Sequence, residues 1–191
     1  MSKTIHQGEY LAGQCLVAMP LMTDPRFSRT VIYLCAHTPE GAMGLVINRA
    51  IDALTFPDLL EQLGIESGPH CSRIQVHFGG PVEAGRGFVL HSSDYVQDAT
   101  MIVDRQMALT ATVDVLKDIA QGQGPRRSIL ALGYAGWSPG QLDTELRENV
   151  WLTVPADEDL VFSDDLDHKW EQAMARLGIT ISMLSGEAGH A

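Results

Sequence analysis

The side chains best equipped for chemistry sit in a few short stretches. Asn48-Arg49 and Arg86 stand at the ends of apolar runs beside glycines. There a guanidinium can present its planar fork to a carboxylate or phosphate, although pairing with one of the chain's many acids is an equal alternative. His91-Ser92-Ser93-Asp94 contains the residue types of a hydrolytic triad. Sequence neighbours rarely reach nucleophile–base–orienter geometry, however, and no G-x-S-x-G elbow is present, so a catalytic role is not expected there. Gly79-Gly80-Pro81 could form a backbone nest for an anion, but a tight turn or bulge is the preferred reading. Phosphate-loop and dinucleotide signatures are absent, and no cofactor is expected. His70-Cys71 with His77 lacks the paired spacing of a metal site, and His77 is read as a surface histidine. The acids Asp157-Glu158-Asp159 and Asp164-Asp165 lack calcium-loop spacing and read as solvated surface.

These residues need a framework, and Ser128 to Leu142 is expected to supply its centre. The apolar run from Ser128 to Leu132 has strand length, then meets Gly133 and Gly136, which predict a corner. Tyr134 and Trp137 lie on that corner, and the indole N–H requires a partner if buried. A helix is expected to restart at Ser138-Pro139, with Ser138 and Gln141 capping reciprocally and Pro139 at the first helical position.

Along the rest of the chain, Tyr10–Ala18 predicts a strand, and 30–35 with 43–48 predicts a hairpin buried on both faces. Thr55 caps a short helix ended by Gly64. The alternation in 73–78 predicts a strand with one wet face, with 87–91 antiparallel to it. Met101–Asp104 predicts a strand, Thr110 a helix cap, and 150–154 another strand. A last helix runs from about Leu166 to Leu177, carrying Leu166, Trp170, Met174 and Leu177 on its core stripe. A short strand over 179–184 and frayed tails at 1–8 and 185–191 complete the reading. Strands lead and helices interrupt irregularly, which is α+β in a single domain over 1–191.

Composition narrows the function. The chain has 191 residues, 13 Lys+Arg against 24 Asp+Glu, and a net charge of −11 at pH 7. Nucleic-acid readers need clustered basic residues, so direct nucleic-acid binding is disfavoured. Cys15, Cys35 and Cys71 do not make a disulfide framework and read as small buried residues in a reducing compartment. No apolar run approaches the length of a membrane span, and the polar opening residues give no secretory signal. A cytoplasmic protein without membrane partners is expected.

Several blocks, in order, resemble the AlgH/YqgE family of bacterial proteins. They are Met19-Pro20 with Asp24-Pro25 and Phe27, then Gly41 to Arg49, then Gly79-Gly80-Pro81-Val82 with Arg86 to His91. Leu132 to Trp137 with Gly140-Gln141-Leu142 follows, continued by Trp151-Leu152 and Pro155-Ala156 and closed by Ala188 to Ala191. Ala36 and Ala50 depart from the family pattern, which favours an acid and a proline at those places. The resemblance implies an α+β fold in which a coiled, bifurcated, mostly antiparallel sheet closes toward a pseudo-barrel with helices packed outside. It also implies a cytosolic protein without established catalytic activity. One branch carries a label of transcriptional control, which denotes a regulatory effect rather than DNA contact.

The expected function is therefore non-catalytic binding or regulation, with an unknown protein or small-molecule partner. The expected contact surface draws on Asn48, Arg49, Gly79, Gly80, Pro81, Arg86, His91, Tyr134 and Trp137, and assumes that the glycine turn, Arg86 and the Tyr134–Trp137 corner converge. An enzyme acting on a small anionic substrate is the alternative. It requires Arg49, Arg86 and His91 to share one cleft, with His91 within hydrogen-bond reach of the bound group.

Overall fold

The computed structural model describes residues 10–179. Its strands are β1 (Gln14–Ala18), β2 (Val31–Thr38), β3 (Gly41–Val46), β4 (Val76–Phe78), β5 (Val82–Ser92), β6 (Met101–Ile102), β7 (Met107–Thr110), β8 (Ser128–Trp137) and β9 (Trp151–Pro155). Its helices are α1 (Phe56–Gln62), α2 (Val113–Ala120), α3 (Gln141–Arg147), α4 (Glu158–Val161) and α5 (Leu166–Arg176), with a 3₁₀ turn at Pro69–Arg73. The strands form one sheet in the order β6-β7-β5-β8-β3-β2-β1-β9, and β4 joins β8 off this path. All pairings are antiparallel except β4 with β8, and the sheet curls into a half-barrel. The tails, and all but the first residue of the strand expected over 179–184, lie outside the described residues.

Both faces of the central hairpin are covered, as its unbroken apolar pattern requires. Val31, Tyr33, Leu45 and Ile47 point to one face, where Leu160, Val161, Trp170, Ala173 and Met174 of α4 and α5 cover them. Ile32, Leu34 and Val46 point to the other face, against Trp137, Leu142 and Trp151. A separate cluster joins α1 and α2 to β4 and the first half of β8 through Phe56, Leu60, Val115, Leu116 and Leu130. Local rules explain the helix starts. Thr55 and Asp58 form a reciprocal capping box on α1, with Thr55 Oγ1 accepting the Asp58 N–H at 3.1 Å and the Asp58 carboxylate accepting the Thr55 N–H at 3.2 Å.

The centre departs from the sequence reading. β8 does not end at its glycines but runs through them to Trp137, with Gly133 at φ +74°. One edge of β8 pairs with β5. The other is shared, first by β4 at Leu130–Leu132 and then by β3 at Ala135–Trp137. Gly79 sits in the fork, donating its N–H to Leu132 O at 2.8 Å while its carbonyl accepts from Val46 N at 2.8 Å. Packing here is backbone on backbone. A Cβ on Gly80, at φ +155°, would be driven into the Tyr134 peptide, and a Cβ on Gly133 into Gly80 O. The glycines serve this approach, not an anion nest, because the Gly79 N–H is already occupied.

Other differences are local. Helix α3 starts at Gln141, after Pro139 and a left-handed Gly140. Only half of the expected cap forms, with Gln141 Oε1 accepting the Ser138 N–H at 3.0 Å. Thr110 ends a strand and Thr112 precedes α2, so β7 was missing from the reading. β5 is not the neighbour of β4, because β8 lies between them.

Alanine at Gly80 or at Gly133 should each lower stability by about 2 kcal/mol or more, from steric overlap and left-handed strain. Gly85→Ala, where a Cβ meets nothing within 4 Å, should change it by less than about 0.5 kcal/mol. Urea midpoints of the three variants test this; equal effects would remove the fork from the account.

Candidate functional site

At the C-terminal half of β8 the curl of the sheet leaves a cleft of about 610 Å³ among β3, β5 and β8. Tyr134, Trp137, Met43, Val82 and Phe88 line it, with Arg86, Glu83 and Glu40 among its polar members. The Arg86 guanidinium lies 5.0 Å from the Phe88 ring centroid and 3.5 Å from the Glu83 carboxylate. Phe88 in turn meets Tyr134 edge-on at 5.7 Å. A cation stacked on an aromatic pair is thus held at an opening to solvent, with its side chain 54% exposed. Trp137 is nearly buried beneath, edge-on to Trp151 at 6.1 Å. The Trp151 indole N–H reaches Glu145 at 3.3 Å, and burial raises that carboxyl above its ordinary range.

Arg86, Tyr134 and Trp137 therefore share one cleft, while the remaining candidates lie elsewhere. Gly79 and Gly80 are buried in the fork and do not line the cleft, contrary to the glycine-lined surface expected; Gly41 and Gly136 line it instead. Pro81 is half-buried beside them. Asn48 clamps two strand ends, accepting from Val31 N and donating to Arg29 O, both at 2.9 Å. Arg49 fastens the β1–β2 loop, donating to the carbonyls of Arg26, Ser28 and Pro25 at 2.5, 2.8 and 3.0 Å. Its fork is engaged by backbone, not offered to a ligand.

His91 is fully buried. Its Nδ1 lies 2.9 Å from Ser92 O, an obligate acceptor, so Nδ1 carries the proton and Nε2 accepts from the Thr110 hydroxyl at 2.8 Å. Burial holds its pKa below the ordinary histidine value. Ser92 Oγ donates to Asp94 and not to His91, so no hydrolytic relay exists. Arg49, Arg86 and His91 occupy separate surroundings, and the shared cleft required of the catalytic alternative does not form. The described residues contain no cluster of three or more metal-ligating side chains.

His77 corrects the surface assignment. The sequence puts it on the wet face of an alternating strand. It is instead 7% exposed, because β4 is wedged between β8 and the Ala50 bridge, with Nδ1 3.2 Å from Leu130 O. Lys169 was overlooked. It is completely buried, donating to Val161 O at 2.8 Å and Ile47 O at 3.0 Å, and burial lowers its pKa to about 8. Its position next to Trp170, on the stripe that Met174 and Ala173 bury, was the available signal. Asp157, assigned to solvated surface, caps α4 and pairs with Arg176.

A family model described as AlgH-like matches residues 15–182. The chain belongs to the AlgH-like family. Among relatives, a UPF0301 protein of Rhodospirillum rubrum is 63% identical over 186 residues, covering 97% of this chain and 96% of the relative. One from Rhodopseudomonas palustris is 55% identical over 195 residues, covering 98% and 89%. The solution structure of the AlgH protein from Pseudomonas aeruginosa matches with a TM-score of 0.79 at 44% identity, over 100% of both chains. A crystal structure from Corynebacterium diphtheriae matches at 0.69 and 21% identity, over 86% of this chain and 85% of that one, and shows the fold alone. The half-barrel is thus the AlgH-like fold, and no helix among the described residues is long and apolar enough to cross a membrane.

Burial pushes the His77 pKa down to about 4, with the Lys169 charge acting in the same direction. Between about pH 6.5 and pH 4 the unfolded chain binds a proton that the folded protein refuses. Stability should fall with pH across that window, by about 3 kcal/mol when complete, and His91 adds a loss of the same sign. Urea unfolding as a function of pH should show a shallower acid limb in His77→Gln than in the wild type. An unchanged slope would show that His77 does not control acid sensitivity.

Proposed function

We propose that this AlgH-like protein is a non-catalytic, cytosolic binding protein that takes an apolar segment of a protein partner into the Arg86–Tyr134–Trp137 cleft. Any regulatory effect then passes through that partner, since a chain of net charge −11 is poorly suited to contacting DNA itself. The supporting observation is Arg86 stacked on Phe88 above Tyr134 at an open cleft, beside Val82, which is 37% exposed. Aromatic and arginine side chains at the centre of a concave patch are the chemistry of interface hot spots, with Glu40 and Glu83 providing a polar rim. Binding is favoured over catalysis because the buried histidines beside β8, His77 and His91, are both held by structural hydrogen bonds.

A photo-crosslinking residue at Val82 should yield a discrete protein adduct in cells. Arg86→Glu should reduce it by at least about fivefold, as reversing a charge at the contact slows association. A crosslinker at Leu21, which is 88% exposed and distant in sequence, serves as the control. The same adducts from Leu21, or no effect of Arg86→Glu, would reject the cleft as the contact site.

A further inference from the structure

A second hollow lies at the opposite, N-terminal end of β8 and has a different chemistry. It measures about 810 Å³ and is walled by the 3₁₀ turn leading into β4, the α2–β8 loop, the β3–α1 loop and the α4–α5 loop. Such a volume is typical of small-molecule sites. Arg73, Arg126 and Arg127 all face it.

The three arginines are not equivalent. Arg126 grips Glu158 with both fork nitrogens, at 2.8 and 3.1 Å. Arg127 approaches Glu158 and Asp159 only at 3.8 and 3.7 Å, beyond hydrogen-bond length. Arg73 has no ion-pair partner among the described residues and is exposed. Two guanidinium groups lining the hollow thus retain donor capacity for an oxyanion.

The hollow also carries carboxylates that have no ion pair among the described residues. It continues into a neighbouring hollow of about 690 Å³, and the residues lining both include Asp52, Gln75 and Asp164. Asp52 and Asp164 thus lie at the junction of the two hollows, while Arg73, Arg126 and Arg127 line the first alone. Neither acid has an ion pair among the described residues. Arg49, in the second hollow, donates to backbone carbonyls and forms no ion pair with either acid.

We infer that this groove binds a small zwitterion, its carboxylate or phosphate on Arg73 and Arg127 and its ammonium group toward Asp52 and Asp164. A simple anion would meet the two carboxylates and a simple cation the arginines, whereas a ligand bearing both charges finds a partner for each. The site is separate from the partner cleft and does not depend on it.

Nuclear magnetic resonance titration of the full chain at constant ionic strength tests this, using phosphoethanolamine, β-alanine, inorganic phosphate and ethylamine. One zwitterion should bind saturably and at least about tenfold more tightly than either single-charge probe, with shifts centred on Arg73, Ser128 and Asp164. Whether phosphoethanolamine or β-alanine binds better identifies phosphate or carboxylate as the anionic group. Arg73→Gln and Asp164→Asn, both at exposed positions, should each weaken that binding at least about fivefold, and Arg105→Gln should not. Equal binding of phosphate alone, shifts spread over unrelated arginines, or no saturation by either zwitterion would overturn the inference.

Discussion

The architecture depends on one backbone-on-backbone contact, where Gly79 and Gly80 lie against Gly133 and Tyr134. A strand has two hydrogen-bonding edges, and β8 needs partners for three other strands. The contact resolves this by letting β4 leave the shared edge just where β3 takes it over. Gly79 bridges the handover, with its N–H on Leu132 and its carbonyl on Val46. Side chains at these positions would hold the backbones apart and leave buried polar groups unpaired, which is expensive in a dry interior.

The fork also explains why the two halves of β8 face different chemistry. Its first half runs between β4 and β5 beneath α1 and α2, and its entry loop carries Arg126 and Arg127 to a polar groove. Its second half runs beside β3 alone after Val82, and the uncovered side becomes the aromatic cleft. The aromatic cleft and the polar groove thus sit at opposite ends of one strand, on surfaces that share no lining residue.

Much of this was legible in the sequence where short-range rules act. Thr55 announced the start of α1, Gly64 its end, and the apolar run at 31–35 a strand buried on both sides. Long-range geometry was hidden. Nothing local says that Gly133 bends within a strand rather than ending it, because a left-handed glycine suits both. His77 alternated with polar neighbours, yet a parallel pairing with β8 and the Ala50 bridge enclosed it. Arg49 looked like a free fork because backbone carbonyls of a distant loop leave no mark in composition. Of the candidate site, sequence reasoning identified Arg86, Tyr134 and Trp137, which share a cleft; it misplaced His91 and the glycine turn, whose roles depend on who packs against them.

The attachment of α5 bears on how the chain assembles during synthesis. Lys169 closes onto Ile47 across 122 residues, and the Trp170 indole onto Ala18 across 152. The first three strands therefore leave the ribosome long before the helix that roofs them. At ordinary translation rates the delay is on the order of ten seconds. Throughout that interval Val31, Tyr33, Leu45 and Ile47 lack the helices that cover them in the folded protein.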